Sequence, residues 1–274
     1  MKTLAAFPLL VTFALAEQFS FSVDNRIANG IVAHPNQFPY QVGLLIVKKM
    51  EPYDFEATSW CGGSLISDEV VLTAAHCLDK ALRAGVFLGA HDITKPDEPG
   101  RMIIKIEPKH MVVNEDYDRV TAENDIALIR LPVKVPLSAT LQTISMPRFS
   151  SRGKNYEGLG GVISGWGKMG DTGQQSPVLR YANRKIMKDR LCKFYFYGFA
   201  SSQICVDGGD LTSACPGDSG GPLVITESNG EKTLIGLTSY GRIEGCQKGF
   251  PSVYTKIANF LGWIAANSNV NIRA

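Results

Sequence analysis

Little in this sequence is charged in blocks. Its 28 basic and 26 acidic residues leave a formal net charge of +2. No run of like charge is long enough to make a nucleic-acid or membrane patch, so neither partner is expected. The chain also lacks internal repeats, low-complexity tracts and any Asn-x-Ser/Thr acceptor for N-linked sugar. Long apolar runs are scarce: the one at residues 4–15 falls short of the ~20 residues needed to span a bilayer. No CxxC pair occurs, which argues against a zinc site, and only His76 lies beside a cysteine, Cys77. Neither a metal nor a cofactor is expected.

What is present begins at the N-terminus. Met1-Lys2-Thr3 gives a short basic start to the apolar run, and Ala14-Leu15-Ala16 supplies small residues at the spacing a signal peptidase accepts. Residues 1–16 read as a signal peptide, and the mature product is expected to be secreted and soluble. Export changes the meaning of the six cysteines. In an oxidising compartment an even count most simply gives three disulfides, but six cysteines permit fifteen pairings and spacing alone does not choose. Residues 17–26 form a short polar segment without cysteine.

From Ile27 onward strand signals dominate. Residues 40–47, 69–73, 102–106, 126–131, 161–164 and 233–239 are short β-branched or apolar runs punctuated by Gly, Pro, Asp and Asn. Their spacing suits barrels or sandwiches rather than βαβ units. One amphipathic helix is expected near the end, where Ile257, Phe260, Leu261, Ile264 and Ala265 share a face. Pro132 and Pro136 argue against a central strand there, and a boundary is expected between 140 and 150.

Three short segments carry chemistry. Ser219 stands in Gly217-Asp218-Ser219-Gly220-Gly221, where flanking glycines allow a tight turn whose N–H groups face an approaching carbonyl oxygen. His76 follows an apolar strand in Thr73-Ala74-Ala75-His76-Cys77, and Asp125 sits in Asn124-Asp125-Ile126-Ala127-Leu128. Taken singly, each has a bland reading: a Gly-Ser turn, a core histidine, a capping carboxylate. Together they supply a nucleophile, a base and an orienting carboxylate in the order His, Asp, Ser.

That order and those motifs resemble the chymotrypsin and trypsin family of serine proteases, over nearly all of residues 27–268. The resemblance implies an all-β fold of two antiparallel six-stranded β-barrels, about 27–145 and 146–274, with the active site in the cleft between them and a C-terminal helix. It implies that Ser219 attacks the scissile carbonyl, His76 moves the proton, Asp125 fixes the imidazole, and the N–H groups of Gly217 and Ser219 form an oxyanion hole. Cys61-Gly62-Gly63-Ser64, Gly165-Trp166-Gly167 and Pro251-Ser252-Val253-Tyr254 match further framework motifs. The family pattern then implies the pairs Cys61–Cys77, Cys192–Cys205 and Cys215–Cys246. Arg26-Ile27-Ala28-Asn29-Gly30 resembles the family's activation site, with Asn29 in place of a common glycine. Residues 17–26 would be a propeptide, and cleavage after Arg26 would free the Ile27 amine to pair with Asp218.

Specificity is read from the pocket positions. Ser213 stands where trypsin-like enzymes carry an aspartate, and Ser252 is likewise uncharged; without a carboxylate, burial of Arg or Lys is costly. Gly241, after Ser239-Tyr240, leaves one wall open, and an open uncharged slot suits Phe, Tyr, Leu or Met. Ser252 is larger than the glycine typical of chymotrypsins, and the stretch from Gly241 to Cys246 is one residue longer, resembling arthropod collagenolytic proteases. Chymotrypsin-like cleavage ranks first and elastase-like or collagenolytic cleavage second. A non-catalytic homologue acting as a binding module is the reading from another class. The expected partners are protein or peptide substrates and an activating trypsin-like protease, with protein protease inhibitors as candidates. A monomer is expected.

Overall fold

The computed structural model describes residues 30–50, 52 and 54–274. The expected signal peptide, the propeptide and the Arg26-Ile27 junction lie outside the described residues. The described residues open with a two-residue strand, β1 (Ile31–Val32), which pairs with a strand far along the sequence. Then comes β2 (Gln41–Met50), whose Val42, Leu44 and Ile46 alternate onto one buried face, as a period of two requires. It pairs along its whole length with β3 (Phe55–Ser67), from Gln41↔Ser64 to Met50↔Phe55.

The rest of this antiparallel sheet comprises β4 (Val70–Thr73), β5 (Ala81–Leu88), β6 (Met102–Ile106), β7 (Met111–Val113) and β8 (Ala127–Arg130), in the order β6-β5-β2-β3-β4-β8-β7. The expected six strands are seven segments here, for a definite reason. Pro108 starts a 3-10 turn at Pro108–His110 that splits one crossing segment into β6 and β7. The two halves pair at opposite edges of the sheet, which curls it into a barrel.

The second sheet contains β9 (Gly160–Gly165), β10 (Arg180–Lys185), β11 (Gln203–Val206), β12 (Pro222–Thr226), β13 (Lys232–Tyr240) and β14 (Ser252–Lys256), ordered β1-β10-β9-β12-β13-β14-β11. A single bridge, Ile186↔Val206, joins the β10 end to β11. The seventh member is β1, which leaves the N-terminal half to pair Ile31 with Tyr181 and Val32 with Arg180.

One apolar cluster fills each barrel, with Val42, Leu65, Val86 and Ile129 in the first and Ile163, Leu223, Ile235 and Tyr254 in the second. A third lies between them, where Leu72 and Leu128 of one sheet meet Trp166, Leu237 and Ile264. Among the described residues helices are few: α1 (Ala75–Leu78), α2 (Asp189–Tyr195) and α3 (Leu261–Asn267). The terminal helix is shorter than its apolar periodicity. Ile257 lies in a separate 3-10 turn, and Phe260, at φ −112° and ψ 9°, interrupts the path; Ile257, Phe260, Leu261 and Ile264 are nonetheless all buried.

Three disulfides, Cys61–Cys77, Cys192–Cys205 and Cys215–Cys246, use all six cysteines. The first ties β3 to α1, and the third ties the segment before Ser219 to the loop after β13. Among the described residues, no helix is long and apolar enough to cross a membrane.

Candidate active site

The site is assembled from both sheets. β4 ends at Thr73, and the single turn of α1 carries His76 out of the barrel between buried Ala75 and Cys77. Asp125 lies just before β8, on a turn where Asn124 takes φ +54° and the Ile126 N–H closes onto the Asn124 carbonyl at 2.8 Å. The pairing of β4 with β8, Thr73 opposite Ala127, brings the two turns together.

Asp125 is 1% exposed, and its two carboxylate oxygens have separate duties. Oδ1 accepts the His76 backbone N–H at 2.8 Å, while Oδ2 lies 2.8 Å from His76 Nδ1 and accepts the Ser239 hydroxyl at 2.5 Å. Burial pushes the Asp125 carboxyl up, but the His76 charge and these hydrogen bonds outweigh it and hold it below the usual carboxylate range. An ionised Asp125 accepts only, so Nδ1 carries a proton, and in the neutral imidazole Nε2 is left with the lone pair that a base needs. Ser239, read from the sequence as a pocket residue, therefore also donates to the carboxylate that holds His76.

Ser219 arrives from the second sheet. Its carbonyl accepts the Gly62 N–H at 2.7 Å across the cleft, and Cys77 Sγ lies 3.6 Å from that carbonyl and 3.8 Å from His76 Nε2. The Cys61–Cys77 bridge thus wedges between the imidazole and the serine backbone. Both sulfurs are spent in the disulfide, so the cluster Cys61, His76 and Cys77 offers no thiolate to a metal. Close approach needs glycine: a Cβ on Gly62 would lie 2.8 Å from Gly221 Cα.

The turn before Ser219 spends several of its backbone groups on neighbouring segments. The Pro216 carbonyl accepts the Lys168 N–H at 2.8 Å, which points the Gly217 N–H on the opposite face of the same peptide plane away from Lys168. Gly217 holds φ +100°, a conformation costly for any residue with a Cβ. Asp218 and Gly220 spend their N–H groups on the carbonyls of Cys215 (2.9 Å) and Thr238 (2.7 Å). Proline at 216 loses only its own N–H, which this arrangement does not use.

Asp218 points inward, fully buried. Its Oδ1 accepts the Gly167 N–H at 2.8 Å and its Oδ2 the Cys215 N–H at 2.9 Å. Burial pushes its carboxyl up to about 6, although both hydrogen bonds pull the other way. Among the described residues no cation forms an ion pair with it.

Beside Ser219 opens a cavity of about 500 Å³ lined by Ser213, Tyr240, Gly241 and Ser252, among others. Ser213 and Ser252 are buried, and Ser252 Oγ donates to Tyr254 Oη at 3.3 Å. Nothing lies within 4 Å of where a Gly241 side chain would begin. Tyr240 is fixed by a hydroxyl bond to Gln203 Oε1 (3.1 Å) and by an edge-on contact with Phe196. The charged residues around the cavity are already occupied. Arg242 pairs with Glu244 and donates to the Tyr195 carbonyl at 2.7 Å, while Asp171 accepts the Cys246 N–H at 2.7 Å.

Two contributors make contacts that no local sequence pattern specifies. Lys48, on the hairpin that carries charges at 48, 49, 54 and 56, donates to the His76 carbonyl at 2.7 Å. Burial lowers its pKa, with Asp79, Arg119 and Asp125 contributing smaller effects. The other is Asp171. Both contacts are long-range, and no local motif announces them.

Comparison with known proteins agrees with this geometry. A family model described as Trypsin matches residues 27–264. Brachyurin from Leptuca pugilator is 36% identical over 247 residues, covering 89% of this chain and 99% of its own. Chymotrypsin from Phaedon cochleariae is 34% identical over 244 residues, covering 89% of this chain and 82% of its own. A solved structure of HL collagenase matches with a TM-score of 0.78 at 29% identity, covering 89% of this chain and 99% of that one.

Proposed function

Because this chain belongs to the trypsin family and is a serine endopeptidase, we propose that it is made as a secreted zymogen and cleaves after large apolar residues. The observation that carries the specificity is the cavity beside Ser219, whose buried Ser213 and Ser252 bring no charge and whose Gly241 leaves a wall open. A Phe, Tyr, Leu or Met side chain would gain ~1.5–3 kcal/mol by leaving water there. An Arg or Lys cation would be desolvated without a partner. The basic leader, the six paired cysteines and the Arg26-Ile27 junction support export and activation by a trypsin-like protease.

The reaction follows from the groups at the cleft. Ser219 Oγ attacks the carbonyl carbon as His76 Nε2 takes its proton, and the carbonyl oxygen becomes an oxyanion facing the N–H groups of Gly217 and Ser219. The C–N bond then breaks, with the imidazolium returning the proton to the leaving amine, and an acyl-enzyme is left on Ser219. Water repeats the sequence to release the acid. Each oxyanion donor is worth ~10²–10³ in kcat. Asp125, held by three donors, keeps the imidazole in the tautomer both steps need. No step requires a cofactor. Protein or peptide substrates and protein inhibitors would occupy the same cleft, with the enzyme acting as a monomer.

The likeness to HL collagenase and the long stretch between Gly241 and Cys246 favour collagenolytic or elastase-like cleavage as the second reading. A P1 profile of the activated enzyme on a peptide library separates the two. Peptides ending in Phe, Tyr or Leu are expected to be cleaved far faster than those ending in Arg or Lys; a profile led by Arg or Lys would overturn the reading of Ser213 and Ser252. Filling the open wall by Gly241→Val is expected to lower kcat/KM for Phe about tenfold or more while sparing Ala, since a methylene or two in such a pocket is worth ~1–3 kcal/mol. An unchanged Phe-to-Ala ratio would remove Gly241 from the pocket.

A further inference from the structure

The pocket wall that runs from Gly241 to Cys246 is attached to the rest of the molecule by more than the Cys215–Cys246 disulfide. Facing it is a short hairpin over residues 167–176. This hairpin is closed by a bridge between Lys168 and Gln175, by Met169 N–H to the Gln174 carbonyl (3.0 Å), and by Gly173 N–H to the Gly170 carbonyl (3.1 Å). At its tip stands Asp171. One carboxylate oxygen, Oδ1, accepts the N–H groups of Cys246 (2.7 Å) and Gln247 (3.3 Å). The contact is reciprocated, for the Asp171 N–H donates to Gln247 Oε1 at 3.1 Å.

The surrounding glycines fit this contact. Gly245 holds φ +127° and Gly170 φ +144°; a Cβ on the first would collide with the Asp171 carboxylate, and one on the second with the Gln247 amide. Both positions demand a residue without a side chain, so the two loops can approach closely only as they are. The base of the same hairpin reaches the catalytic turn, through Gly167 N–H to Asp218 Oδ1 and Lys168 N–H to the Pro216 carbonyl. One hairpin therefore touches the oxyanion turn at its base and the specificity wall at its tip.

We propose that Asp171 is a positioning residue for the specificity pocket, holding the wall between Gly241 and Cys246 at the distance that admits an apolar P1 side chain. This rests on the serine endopeptidase reading of the cleft. Asp171 borders the same cavity as Ser213 and Ser252, yet its carboxylate is turned to backbone N–H groups and acts through the wall.

The test compares Asp171→Ala and Asp171→Asn with the wild-type enzyme after activation. Active serines are titrated with a phosphonylating reagent, so that every rate refers to competent sites. KM and kcat are then measured for a succinyl peptide ending in Phe p-nitroanilide, and kcat for p-nitrophenyl acetate, which needs the triad and oxyanion hole but no P1 side chain. Asp171→Ala is expected to raise KM for the Phe peptide about tenfold, the equivalent of one charge-assisted hydrogen bond. Turnover of p-nitrophenyl acetate per titrated serine should stay at the wild-type level. Asp171→Asn retains an oxygen acceptor for the Cys246 N–H and should recover most of the loss. An unchanged KM in the alanine variant, an equal loss on both substrates, or an asparagine variant no better than alanine would overturn the proposal. A wild-type enzyme that neither titrates nor turns over either substrate would instead refute the reading of the cleft, and the proposal with it.

Discussion

Replacing Ser219 with alanine is expected to lower kcat by about five to six orders of magnitude, the size known for removing the nucleophile of such a triad. The structure explains why the loss should be confined to chemistry. Ser219 holds its neighbours through its backbone, whose carbonyl accepts the Gly62 N–H, and the turn is fixed by Asp218, Gly220 and Gly221. Removing Oγ leaves all of these bonds in place, together with the bond from His76 to Asp125 and the Cys61–Cys77 bridge. The variant should therefore unfold at the same urea concentration as the wild type and bind an inhibitor as tightly. The residual rate, still above that in water, would come from the oxyanion N–H groups and substrate positioning. Near-normal turnover by a folded Ser219→Ala enzyme would remove Ser219 from the mechanism.

Activation is expected to give the second large effect, and Asp218 is the reason. Its carboxyl is fully buried, accepts two backbone N–H bonds and is raised from 3.8 to about 6. With no cation paired to it among the described residues, that shift costs about 3 kcal/mol once the group is charged. An acid whose folded pKa is raised is destabilising only where it must ionise. The cost is absent below pH 3.8, grows between 3.8 and about 6, and is complete above 6. An ammonium at that place would remove it. Cleavage after Arg26 makes one at Ile27, and its pairing with Asp218 would hold Gly217 and Ser219 in oxyanion geometry. Such a pair raises the amine above its ordinary ~7.7–8.0. Its stabilisation is complete below that value and fades as pH climbs through the folded pKa, giving activity an alkaline limb.

The expected results follow directly. Trypsin treatment should raise activity by orders of magnitude and leave a chain beginning at Ile27, while Arg26→Gln should stay inactive. Asp218→Asn should flatten the pH dependence of zymogen stability across pH 4–6 and impair the processed enzyme, because the amide cannot pair with the amine as a carboxylate does. Full activity before cleavage, or a mature chain beginning elsewhere, would refute the mechanism.

The residues that could be read from sequence are those whose geometry is local. Gly217-Asp218-Ser219-Gly220-Gly221 encodes its own turn, since Gly217 and Gly220 both require positive φ, and Asp218 can turn inward only because the glycines bend the chain around it. The short α1 after a buried strand positions His76 in the same self-contained way. β2 is legible from the alternation of Val42, Leu44 and Ile46, and β13 as an unbroken run buried from Thr233 to Ser239. By contrast β10, Arg180–Lys185, exposes only Asn183 and Lys185 and buries the charged Arg180 beside Ala182, and α2 buries only Cys192. Neither has a periodic signal to find. The split of one segment into β6 and β7 required knowing that both sheet edges meet there. Ser239, Lys48 and Asp171 act across loops 28 to 114 residues apart in the chain, and only tertiary structure joins them to their partners.

The reactivity of one oxygen, Ser219 Oγ, distinguishes a serine nucleophile from every other assignment. The trypsin-treated enzyme is incubated with a serine-directed phosphonylating reagent, residual activity on a Phe peptide is followed, and the adduct is mapped by mass spectrometry. One adduct per molecule is expected, on Ser219, with activity lost in step with labelling and labelling abolished by Ser219→Ala. Full peptide hydrolysis by a fully labelled enzyme, or an adduct on another residue that tracks the loss, would contradict it.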